Sequence, residues 1–139
     1  MKEKFNKEEA IQTFHRFMSK MDSQLRILID VAEITGCKLG YSTDEFEHVE
    51  LLFNELSTGD DDVMGTILMF SRYLGEIFRR NYGGEWQLYL ENDLYFNLPV
   101  IIGFQPVLDL PFCPKFLMET YHIRRIPGLL RRAVQSHLT

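Results

Sequence analysis

Cysteine is scarce in this 139-residue chain: only Cys37 and Cys113 are present, far apart and in no CxxC or Cys/His spacing. That excludes a zinc site and a disulfide framework, and both are expected to be ordinary buried or half-buried thiols. Long apolar runs are absent as well. The stretch from residue 98 to 104 carries Pro99 and Gly103 and falls far short of the ~20 residues a membrane-spanning helix needs. The opening Met1-Lys2-Glu3-Lys4 bears both signs of charge and no apolar segment follows it, so no secretory signal is read and a cytoplasmic location is expected. No GxxxxGK[ST], HExxH or GxSxG string occurs, and His15, His48, His122 and His137 stand in no recognised motif. No catalytic residue, metal site or cofactor is therefore expected.

What is present suits one globular domain over residues 1–139. Hydrophobic residues make up 45% and aromatics 13%, too much apolar material for a disordered chain. A chain of this length buries roughly two-thirds of the surface it exposes when unfolded, enough for a core without metal or disulfide. The net charge of −5 and pI near 5.3 argue against nucleic acid as the partner.

The charge is unevenly placed. Residues 1–112 hold 10 Lys+Arg and 19 Asp+Glu, whereas residues 113–139 hold 5 and 1. Between Lys38 and Arg72 no basic residue occurs, and Asp44, Glu45, Glu47, Glu50, Glu55, Asp60, Asp61 and Asp62 supply acids without interruption. The basic tail, with Arg124, Arg125, Arg131 and Arg132, reads as helix-end charge that partly neutralises this acidic body.

Periodicity gives an α+β order: three N-terminal helices, a small antiparallel sheet of short strands, and a C-terminal helical segment. Residues 7–35 carry one helical stripe from Ile11 to Ala32, capped by Asn6 and ended by Gly36, with 22–23 as the place where it would break. Ser42 and Glu45 form a capping-box pattern ahead of Phe46, Val49, Leu52, Phe53 and Leu56. One of Asp60, Asp61 and Asp62 caps a third helix that runs to about Asn81 and ends in Arg79, Arg80 and a Gly pair. From Trp86 the period becomes two, with 91–93 as a turn and 94–96 as the returning strand; 100–102 forms a further short strand, extended irregularly over 104–110. Helices follow over 115–124 and 129–138, separated by Pro127-Gly128.

Two regions stand out as candidate sites. Asp44, Glu47 and Glu55 lie opposite the buried stripe of the second helix and, with Asp60, Asp61 and Asp62, make an acidic surface suited to a basic partner. Asp60-Asp61-Asp62 is no calcium loop, since position 12 counted from Asp60 is Ser71 rather than Glu. The second region holds Tyr73, Glu76, Arg79 and Trp86. Gly75 costs about 1 kcal/mol inside a helix, so a backbone or ring is expected to approach it closely. Here Glu76 pairs with Arg79 or Arg80, and a pocket beside Trp86 would take a small ligand or serve an enzyme.

The string YLGEIFRRNYGGEW, followed by a hairpin and a proline-led apolar strand, resembles small bacterial domains with a YxGE helix and GG-x-W. The resemblance spans Tyr73 to Ile102. Some such domains are encoded beside polymorphic toxins as immunity-type proteins. It implies a small non-enzymatic, partner-binding protein whose acidic surface covers a basic toxin domain, and it transfers no catalytic residue. A partner-binding function is the leading expectation, and a ligand pocket at Glu76, Arg79 and Trp86 is its alternative.

Overall fold

The computed structural model describes residues 5–104 and 110–138. Among these residues six α-helices and a two-stranded antiparallel sheet form an α+β arrangement in the order α1 (Lys7–Ser19), α2 (Met21–Ile34), α3 (Phe46–Ser57), α4 (Val63–Tyr82), β1 (Gly83–Tyr89), β2 (Leu98–Phe104), α5 (Pro114–Arg124) and α6 (Leu129–Leu138). No helix among the described residues is long and apolar enough to cross a membrane.

Four helices, not three, precede the sheet, because the N-terminal stripe is broken at Lys20 (φ −92°, ψ 2°) rather than at 22–23. Neither Pro nor Gly stands at the break. Instead the Arg72 side chain of α4 donates from Nε to the Phe17 carbonyl at 3.1 Å, an oxygen that a continuous helix would offer to the N–H of Met21. Ser19 and Ser23 hydroxyls bond the carbonyls of Arg16 and Lys20 on either side. The break turns the inner face of α1 onto Ala10 and Phe17, and Phe14 is left half-buried.

α4 is the axis of the molecule. Its neighbours are α2, α3, α5 and both strands, and every residue from Phe70 to Phe78 is buried. Around it Phe78 stacks on Phe112 at 4.0 Å between ring centroids and meets Phe104 edge-on at 4.6 Å. Such aromatic pairs each add about 0.5–1.5 kcal/mol beyond their buried area.

β1 pairs with β2 from Gly83↔Phe104 to Tyr89↔Leu98. The strand that returns is thus Leu98–Phe104, and residues 94–96 belong to the turn, correcting the expectation that they pair with Trp86–Leu90. Asp93 explains the difference: its carboxylate accepts from the Tyr95 N–H at 3.0 Å and from the Tyr89 hydroxyl at 2.8 Å, folding 93–97 into a turn closed by Asn97 N–H to Tyr89 O at 2.7 Å. Gly84 (φ +95°) lets the backbones close up, since a Cβ there would meet Ile102 O at 2.9 Å. Two strands alone are marginal; this pair is held by Trp86 and Ile101 against the core and by reciprocal backbone bonds between Ile101 and Phe112. Of the irregular extension expected over 104–110, residues 105–109 lie outside the described residues. Both cysteines are free; Cys37 is half-buried, and burial pushes the Cys113 thiol up to about 11.

Candidate functional site

The acidic run divides into acids that hold the fold and acids that face water. Glu45 does not reach back to Ser42 as a capping box would. It is buried, accepts from the Gly40 N–H at 2.6 Å, and receives the Tyr73 hydroxyl, which in turn accepts from the Tyr41 N–H at 3.0 Å. Burial and the bond to Glu45 raise the Tyr73 phenol far above its ordinary value. The loop between α2 and α3 is clamped further by Asn81, whose amide donates to Tyr41 O at 2.9 Å, and by Arg80 over the Tyr41 ring at 3.8 Å.

Glu50 is also buried. Its two oxygens accept from the Gly128 N–H at 2.9 Å and the Leu130 N–H at 3.0 Å, so this α3 carboxylate caps α6 from across the fold. Glu47 binds Arg131 through two contacts of 2.7 and 2.8 Å. The Arg131 hydrogen bond holds its carboxyl below the usual range and raises the guanidinium in step. At the start of α4, Asp62 is the N-cap, accepting from Gly65 N–H at 3.1 Å, and Asp60 accepts from Asp62 N–H at 2.9 Å and from the Thr66 hydroxyl. The Thr66 bond lowers the Asp60 carboxyl. Asp44, Glu55 and Asp61 are exposed and have no ion-pair or side-chain hydrogen-bond partner among the described residues.

The outer face of α3 carries Glu47, Leu51 and Glu55 at successive turns, and Leu51 is 65% exposed. Leu51 thus stands between Glu47, which is paired with Arg131, and Glu55 on one helix surface, and in the chain Asp44 precedes α3 and Asp61 follows it.

Tyr73, Glu76, Arg79 and Trp86 do not share one pocket. Tyr73 faces Glu45 and Tyr41, whereas Glu76 faces the sheet. The Glu76 carboxylate, only 5% exposed, accepts from Arg79 Nε and Nη2, both at 2.8 Å, from Arg80 Nε at 3.3 Å and from Trp86 Nε1 at 2.9 Å. Those donors use the roughly four acceptor positions a carboxylate has. Burial opposes ionisation of Glu76, but the bonds from Arg79 and Trp86 and the charge of Arg79 outweigh it and hold the carboxyl below its ordinary value. The ring expected near Gly75 is that of Trp86. A Cβ on Gly75 would lie 2.3 Å from Trp86 Cη2 and Cζ2.

Glu76→Gln is expected to lower stability at neutral pH by about 2 kcal/mol, because charge-assisted hydrogen bonds from two arginines and the indole are weakened. The sign with pH follows from the lowered carboxyl. Its contribution is present above the ordinary carboxylate value of ~4.3 and is lost as pH falls through the lower folded value, so wild type and variant should converge in acid. Urea unfolding at neutral pH and near pH 3 measures this; an undiminished gap in acid would assign the effect to packing.

No known protein family, curated protein or solved structure matches this chain.

Proposed function

We propose that this chain is a non-enzymatic partner-binding domain, an immunity-type inhibitor that docks a basic protein domain through the outer face of α3 and the turn into α4. The observation that carries the reading is the set of exposed acids without a structural duty. The side chains of Asp44, Glu55 and Asp61 have no ion-pair or hydrogen-bond partner among the described residues, and Glu55 lies one turn from the 65% exposed Leu51 on the outer face of α3. A central apolar side chain with a charged rim is the arrangement that interfaces use, the apolar contact holding the complex and the rim steering and selecting the partner. The resemblance of Tyr73–Ile102 to immunity-type domains points the same way. Glu76, Arg79 and Trp86 are occupied with one another, so a ligand there would first have to displace Trp86 or an arginine.

The test is complex formation with the product of the adjacent gene. Reversing charge at Asp44, Glu55 and Asp61 to lysine is expected to slow association at least about tenfold at low salt, with little effect at high salt, while Leu51→Ala speeds dissociation. A complex indifferent to both the reversal and the salt concentration would refute this surface. Because these side chains lie outside the hydrogen-bond network, the variants should unfold at the wild-type midpoint.

A further inference from the structure

A cavity of about 550 Å³ opens between α1, the middle of α4 and the start of β2, in the size range of small-molecule sites. Phe14, Phe17 and Leu98 line it with apolar surface. Among the described residues its polar side is basic, with Arg16, Lys20, Arg72 and Lys115, the last 3.9 Å from Glu119, against Glu9 as the one lining acid, in a chain that is acidic as a whole.

Arg72 is the unusual member. It is only 5% exposed and has no ion pair among the described residues. Its Nε is used by Phe17 O and its guanidinium lies 4.3 Å from the Phe17 ring centroid, but Nη1 and Nη2 have no hydrogen-bond partner among the described residues. Neither nitrogen is fully sealed, and Arg72 lines the wall of this cavity. A buried guanidinium without a carboxylate is costly unless something negative meets it. Burial alone lowers its affinity for the proton. A second hollow that Arg72 also lines has Asp60 and Asp62 on its wall, but neither lies within ion-pair distance, and both are bonded at the α4 N-terminus.

We propose that this cavity binds a small organic anion with an apolar body, its carboxylate or phosphate headgroup held by the free Nη1 and Nη2 of Arg72. The planar fork of Arg72 matches two oxygens of either headgroup. Phe14, Phe17 and Leu98 take the apolar body, and Arg16 and Lys20 at the rim raise the local concentration of anions. None of these residues belongs to the α3 surface, so the inference does not rest on the partner-binding reading.

Octanoate, octyl phosphate and octanol serve as probes, followed by calorimetry and by the emission of Trp86, whose ring meets Phe17 edge-on at 5.3 Å. One or both anions should bind at a single site and shift that emission, the stronger of the two identifying the headgroup. Octanol should bind at least about tenfold more weakly, as expected for loss of a charge-assisted pair. Arg72→Gln, which retains a donor for Phe17 O, should weaken the anion about tenfold or more. Lys20→Glu, an exposed rim change that leaves the break in place, should weaken it severalfold and remains decisive if Arg72→Gln does not fold. Octanol binding as well as octanoate, no binding of either anion, or wild-type affinity in the Lys20→Glu protein would overturn the proposal.

Discussion

Gly75→Ala is expected to destabilise the protein by about 2–3 kcal/mol, although alanine is the better helix former by about 1 kcal/mol. The new Cβ would stand 2.3 Å from two atoms of the Trp86 ring and 3.1 Å from Pro114. Trp86 cannot yield cheaply: its Nε1 is tied to Glu76 at 2.9 Å and its ring abuts Phe17. Pushing it out breaks the bond to a buried carboxylate and opens the packing between β1 and α4, costs that exceed the propensity gain. The melting temperature should fall by roughly 10 °C, and Trp86 emission should move to the red as the indole becomes wetter. In a Trp86→Ala background the same substitution should cost far less, since the two closest colliding atoms are gone and only the contact with Pro114 remains. An equal loss in both backgrounds would place the strain elsewhere.

Glu50→Ala should cost about 3 kcal/mol, far more than loss of the exposed acids Asp44, Glu55 and Asp61 of the 44–62 run. Two N–H groups at the start of α6, at Gly128 and Leu130, lose their acceptor, and Leu130 lies in the core where water does not replace it. The negative charge that favours the positive end of α6 disappears at the same time. The helix should then loosen as a unit, exposing Leu130 and Val134 and becoming the first site of limited proteolysis. Glu50→Gln keeps one acceptor and should recover part of the loss. Glu55→Ala, five residues along on the exposed face, is the control and should stay within about 0.5 kcal/mol of wild type. The account of α6 fails if the two alanine variants are equally stable.

These acids show what the linear pattern made legible. The stripe of Phe46, Val49, Leu52 and Phe53 correctly gives the inner face of α3, and the exposed positions of Asp44, Glu47 and Glu55 follow from it. Glu50 stands beside Val49 and three residues before Phe53 on that same inner face, so its burial was available from spacing. Its partner, the amide end of a helix almost eighty residues later, was not. Glu45 departs from its expected capping-box role for a related reason, since its bonds go to Gly40 and Tyr73 rather than to the cap that local sequence suggests. Gly75 signalled a close approach, and α5 and α6 lie almost where Pro114 and Pro127-Gly128 place them. The break at Lys20 was displaced because its cause, Arg72, sits on another helix. The return strand was misplaced because the side chain of Asp93 outweighs the β-propensity of Tyr95 and Phe96.

The complete burial of α4 from Phe70 to Phe78 also divides the molecule in time. With α2, α3, α5 and both strands resting on it, this stretch has no room to open while its neighbours stay in place, so its amides are expected to exchange with solvent only when the whole molecule unfolds. α1 has the opposite standing: it leans on α2, touches β1 through Phe17 and Trp86, and is fastened to the axis by the contact from Arg72 to Phe17. Fast amide exchange by local opening is therefore expected of the N-terminal helix, and slow, all-or-none exchange of the centre.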